Sequence, residues 1–220
     1  MFLPRLLISL VGLVAFLFSV LATADLLQDI QETDLPRSEI YSVEQTPTGK
    51  GLEFSVVVFR DIGWGLDTVT NAIKQAAQIY ASECDFYFTV NEIRMGGVAN
   101  RFHNLTEPMQ QELIESLNLP RPIVFFINTT TDNDYAYSYQ QGTVSPSQGT
   151  VWMTRRVVPA CHGPLLAHEL GHIALDVAEH SNAPKNLMGF TCYSSNVQNF
   201  AGNTKLTRRQ CQRLHQRYPD

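Results

Sequence analysis

A chain of 220 residues has the size of one domain, or of one domain with a processed leader, and it contains no internal repeat and no low-complexity tract. The net charge is −5, and basic residues gather only at Lys205, Arg208, Arg209, Arg213 and Arg217, which read as the solvated face of a helix. No nucleic-acid partner is expected on this balance.

Met1 to Arg5 gives a short basic start, Leu6 to Leu21 an uncharged apolar run, and Ala22-Thr23-Ala24 the small residues that a signal peptidase reads. Residues 1–24 are therefore expected to be a signal peptide, with the mature chain starting near Asp25 in a secreted or periplasmic setting and no membrane association after cleavage. The alternative is an uncleaved anchor, although the apolar run falls short of the roughly 20 residues that span a bilayer. Residues 25–51 are polar and broken by Pro36, Pro47 and Gly49, as in a loose arm or short prosegment. Residues 52–220 then form one domain.

Leu52 to Phe59 is rich in β-branched and aromatic residues and predicts a strand; Asp67 to Ser82 has apolar residues at helical spacing. Phe86 to Ile93 predicts a strand, Glu107 to Leu117 a helix, and Pro122 to Ile127 a strand apolar on both faces, as inside a sheet. Tyr135 to Tyr139 and Thr150 to Thr154 predict two short strands near a sheet edge. Pro164 to Leu175 predicts a helix, and Thr207 to Gln216 a closing helix with Thr207 as N-cap. The fold class is α/β (α+β): a twisted mixed sheet backed by helices, then a small irregular C-terminal part ending in a helix. Cys84, Cys161, Cys192 and Cys211 show no CxxC spacing and read as two disulfides of an exported chain, in any of three connectivities. Asn104-Leu105-Thr106 and Asn128-Thr129-Thr130 are glycosylation sequons if the chain enters a eukaryotic secretory pathway.

The chemistry lies in His168-Glu169-Leu170-Gly171-His172. Histidines four apart project from one helix face about a turn apart and can share one ion. Glu169 is rotated by about 100° from His168, off the ligand set but within reach of a water at the metal. This is the HExxH pattern, in which zinc acidifies water and the glutamate moves its proton. Leu165, Leu166, Leu170 and Ile173 make the segment apolar, so its polar side chains need partners. A third ligand is still required, and the acids and imidazoles left after His172 are Asp176, Glu179, His180, His215 and Asp220, with none between Ser181 and Gln210.

His180 is followed by Asn186-Leu187-Met188-Gly189. Here the sequence resembles the metzincin clan of zinc peptidases, in which HExxHxxGxxH precedes a turn whose methionine lies beneath the metal. The resemblance covers about Pro164 to Phe190. It implies His168, His172 and His180 as zinc ligands, Glu169 as general base and acid, and Met188 as the turn methionine. Leu175 stands where the clan has glycine, and Ala178 where it has the third histidine, so His180 comes two residues late. A straight helix would carry His180 about 18 Å from His168 along its axis. The chain must fold back near Leu175 or Asp176, and Asp176, which tolerates unusual backbone, is both the expected pivot and the rival third ligand. Tyr193 is a candidate transition-state donor, while His162 and His103 match no spacing and are expected at the surface or as caps.

These readings lead to an exported, monomeric zinc-dependent endopeptidase that binds a protein or peptide substrate along the edge strand near Tyr135 to Thr154 and hydrolyses it. Two other readings are a secreted, zinc-stabilised binding or adhesion module without proteolytic activity, and a zinc amidase acting on cell-wall peptide.

Overall fold

A computed structural model describes residues 30–32, 51–60, 62–98, 100–131, 136–139, 147–189 and 203–219. Their strands are β1 (Ile30–Glu32), β2 (Gly51–Phe59), β3 (Tyr87–Gly96), β4 (Asn104–Leu105), β5 (Ile123–Ile127), β6 (Thr129–Thr130), β7 (Ala136–Tyr139) and β8 (Thr150–Thr154). The helices are α1 (Leu66–Cys84), α2 (Glu107–Leu117), α3 (His162–Leu175) and α4 (Arg208–Arg217). Six strands form a sheet in the order β1-β3-β2-β5-β8-β7, and β4 pairs with β6 beside it. Strands β3, β2, β5 and β8 run parallel, and the two edge strands β1 and β7 run antiparallel to their neighbours.

Every residue of β5 and β8 is buried, as expected of parallel strands covered on both faces. Helices α1 and α3 lie on one face. They pack closely because Gly163 of α3 has no side chain: a Cβ there would fall 2.3 Å from the Gln75 side chain of α1. On the opposite face Trp152 stacks on Phe125 with ring centroids 4.1 Å apart, Tyr137 stacks beyond it, and Gln110 of α2 donates to the Tyr137 hydroxyl at 2.7 Å. Helices α1, α2 and α3 all stop at an Asp or Asn in the left-handed region, at Asp85, Asn118 and Asp176.

Helix α4 starts as its sequence predicts. Thr207 is the N-cap, with its side chain accepting from the Gln210 N–H and the Gln210 side chain accepting from the Thr207 N–H. The Cys84–Cys211 disulfide ties α4 to the end of α1. His215 Nε2 donates to the Cys84 carbonyl at 2.7 Å, and Lys205 pairs with Glu83 at 2.7 Å. Cys161 is also disulfide-bonded.

Three expectations change. Ile30–Glu32, read as part of a loose arm, pairs with β3; pairing with an edge is made by main-chain groups and needs no side-chain pattern. Of the basic residues near the C-terminus, Lys205, Arg208, Arg209 and Arg213 are exposed as expected, but Arg217 is half-buried and pairs with Asp176 at the end of α3. His162 is buried rather than at the surface, because a 3-10 turn at Pro159–Cys161 folds its ring inward to donate to the Val157 carbonyl at 3.0 Å and lie against Trp64.

No helix of the described residues is long and apolar enough to cross a membrane. The expected signal peptide, Cys192 and Tyr193 lie outside the described residues.

Candidate metal centre

Helix α3 is buried along its whole length, and it presents His168, Glu169 and His172 beneath the edge of the sheet formed by β8 and β7. It ends where the sequence bends. Asp176 takes φ 52° and ψ 57°, and the Val177 N–H behind it donates to the His172 carbonyl at 3.2 Å. The Asp176 carboxylate pairs with Arg217 at 3.0 Å, and its carbonyl accepts from Arg213 at 3.0 Å. Asp176 is thus the pivot, its carboxylate is engaged by α4, and it is not among the residues that converge on the histidines.

The chain returns through Val177 to Glu179 and brings His180 back to the helix. His168 Nε2 lies 3.1 Å from His172 Nε2 and 3.2 Å from His180 Nε2, and the three ligand atoms all lie within 4.8 Å of one another. Backbone carbonyls fix two of the rings: His168 Nδ1 donates to Leu187 at 2.7 Å and His172 Nδ1 donates to Val177 at 2.6 Å. In a neutral imidazole the other nitrogen then carries a bare lone pair.

Burial lowers the pKa of all three histidines, that of His168 to about 4, with the nearby rings of His172 and His180 adding to the effect there. With Nδ1 of His168 and His172 donating to carbonyls, their Nε2 lone pairs face each other across 3.1 Å, an arrangement that repels itself unless a cation lies between them. Three nitrogens bound tetrahedrally at about 2.0–2.1 Å from one ion are about 3.3–3.4 Å apart, close to the spacing found here. The residues fit a metal ion of this kind.

The floor of the site is the turn at Asn186–Gly189. The Gly189 N–H donates to the Asn186 carbonyl at 3.0 Å, and the Asn186 side chain accepts from the Met188 N–H at 3.0 Å. Asn186 is 2% exposed, and its amide exchanges hydrogen bonds with Gln210 of the α4 capping box at 2.9 and 3.1 Å. The Ser181 N–H donates to the Met188 carbonyl at 2.7 Å, joining the residue after His180 to the turn. Met188 packs under α3 at Gly171, where a Cβ would come within 2.5 Å of both the Met188 sulfur and the Tyr80 hydroxyl. Tyr80 in turn donates to the Ala167 carbonyl at 3.0 Å.

Glu169 is 3% exposed, and its Oε2 accepts from the Ser138 hydroxyl of edge strand β7 at 2.9 Å. Sequence reasoning missed Ser138, along with Asn186 and Gln210 as supports. The alternation of β7 holds a weak signal for the first: Tyr137 faces the Trp152 side, so Ser138 must face α3. Behind His180 a cavity of about 370 Å³ opens between the return loop and α4, with Arg209 and Arg213 on its α4 side.

Solved structures share this fold. An archaemetzincin from Methanopyrus kandleri superposes with a TM-score of 0.52 at 11% identity, covering 78% of this chain and 98% of that one. Metalloproteinase-II from Bacteroides fragilis gives 0.51 at 15% identity, covering 80% of this chain and 55% of that one. A chain in the structure of a chaperone-substrate complex gives 0.52 at 10% identity, covering 77% of this chain. The present chain spans 34% of that neighbour, so it corresponds to only part of two of the three. No protein-family model matches the chain, and no curated protein sequence matches it.

Proposed function

We propose that this chain is an exported, metzincin-like zinc endopeptidase in which His168, His172 and His180 hold the metal and Glu169 is the general base and acid. The observation that carries the reading is the convergence of three imidazoles beside a buried glutamate under a sheet edge. Likeness of fold to a metalloproteinase and to an archaemetzincin agrees with it.

Zinc bound there would polarise a peptide carbonyl and make water acidic enough to lose a proton near neutral pH. The protein's own groups supply the rest. Edge strand β7 offers its outer side to an extended peptide, which would add as a further strand and set its scissile bond above the histidines. Glu169 takes one proton from the attacking water as the new C–O bond forms, and delivers it to the departing nitrogen as the C–N bond breaks. The rings of His168 and His172 stay fixed throughout by Leu187 and Val177. The Cys84–Cys211 bond suits an oxidising compartment and hence a secreted or periplasmic enzyme.

The test compares the wild type with Glu169→Ala for zinc content and for cleavage of an unfolded protein such as reduced casein. The reading requires zinc in both and cleavage by the wild type alone. Zinc in both with no cleavage by either would favour a structural zinc module instead.

A further inference from the structure

The general base of the proposed reaction sits on α3, while the surface proposed to receive the peptide is β7, and one side-chain hydrogen bond joins them. Ser138 Oγ lies 2.9 Å from Glu169 Oε2, across 31 residues of sequence. The hydroxyl is the donor and the carboxyl oxygen the acceptor. We propose that Ser138 is a positioning residue for Glu169, holding the carboxylate in the orientation that receives the proton of the attacking water. This rests on the peptidase reading of the site.

Three features make the bond a fixed one. Glu169 is 3% exposed, and a buried carboxylate keeps a defined orientation only through the donors that reach it. Ser138 is paired opposite Val151 in the β7–β8 ladder, so its Cα is set by main-chain bonds. Its neighbour Tyr137 is held on the opposite face by Trp152 and Gln110, which prevents the strand from turning over. A serine also suits the place: its hydroxyl spans the gap between strand and helix, whereas alanine would leave the carboxylate without this donor.

Placement on the edge strand has a second consequence. A peptide that adds to β7 would lie along the strand whose side chain reaches the base, so the docking surface and the support of Glu169 share one element.

The experiment uses the zinc-loaded, full-length protein and two readouts. The first is binding of acetohydroxamic acid by calorimetry; this ligand chelates zinc as its anion, and the proton it loses is taken up by a carboxylate beside the metal. The second is peptide hydrolysis. Ser138→Ala is expected to weaken acetohydroxamate about tenfold and to lower kcat about tenfold, the loss of one hydrogen bond to a charged acceptor, with KM within about twofold and zinc content unchanged. Ser138→Thr, which keeps the hydroxyl and suits a strand, should restore both. In a Glu169→Ala background, Ser138→Ala should cost nothing more. Unchanged acetohydroxamate affinity in Ser138→Ala, or a loss that persists in the Glu169→Ala background, overturns the assignment. If the coupling is found but no peptide is cleaved, the peptidase reading fails and the role of Ser138 in orienting Glu169 stands. If peptides are cleaved without the coupling, the reverse holds, and a protein that takes up no zinc defeats both.

Discussion

His172 and Val177 hydrogen-bond each other in both directions: the ring Nδ1 donates to the Val177 carbonyl at 2.6 Å, and the Val177 N–H donates to the His172 carbonyl at 3.2 Å. The second histidine and the start of the return loop are therefore one unit, and the loop that delivers His180 is anchored before it leaves the helix. Asp176 lies inside this unit as its left-handed pivot, with its carboxylate on Arg217. Zinc competition against a chelator should separate pivot from ligand. Asp176→Gly keeps the backbone freedom and should weaken zinc by no more than the roughly 10–100-fold typical of an outer-shell change, with one zinc still bound per chain. His180→Ala should weaken it further. A greater loss in Asp176→Gly would make Asp176 the ligand.

Gly171 is required for space. A Cβ there meets the Met188 sulfur and the Tyr80 hydroxyl at 2.5 Å, beneath the histidines. Gly171→Ala, although favourable to an isolated helix, should destabilise the protein by about 1–3 kcal/mol through overpacking. Thermal unfolding checks this; an unchanged or raised Tm would contradict the packing described.

The turn beneath the histidines should depend on a distant helix. Asn186 and Gln210 exchange two hydrogen bonds, and Leu187 beside them orients His168. Asn186→Ala leaves buried groups unpaired and should cost about 1–3 kcal/mol. Because it also frees the Leu187 carbonyl to move, zinc affinity should fall about tenfold. Gln210→Ala should show the same two effects more weakly, since it removes one side of the pair and the capping box together.

Acid should destabilise the metal-free protein before it protonates the site. Burial, with the neighbouring rings of His172 and His180, lowers His168 to about 4 from its usual 6.5. Between those values the unfolded chain binds a proton that the folded one refuses, so this contribution to stability is whole above pH 6.5 and is lost as pH falls toward 4. Chemical denaturation of the metal-free protein from pH 7 to pH 4.5 should show the decline, and His168→Gln should flatten it.

The elements that can be read from sequence are those whose signal is local. Thr207 and Gln210 sit three apart and announce a capping box; Glu107 to Leu117 is bounded by Thr106 and Asn118; His168 and His172 need only helical spacing. The fold class follows from the succession of such elements, and the bend at Asp176 follows from the need to bring His180 back. What escapes is long-range. Ser138 meets Glu169 across 31 residues, and Asn186 meets Gln210 across 24; each pair is made by folding, and the alternation of β7 gives the face of Ser138 but not its partner. Strand β1 escapes for another reason, since strand pairing is made by main-chain groups that every residue carries. His162 lies buried where a surface or capping place is expected, because the preceding turn folds its ring against Trp64.

The coordination of the metal itself tests the account most directly. X-ray absorption at the zinc edge of the loaded protein should show three nitrogen neighbours at about 2.0–2.1 Å and one oxygen, with one nitrogen lost in any His180→Ala protein that retains zinc. A first shell with two nitrogens, or one unchanged by His180→Ala, would contradict the three-histidine centre on which the proposed function rests.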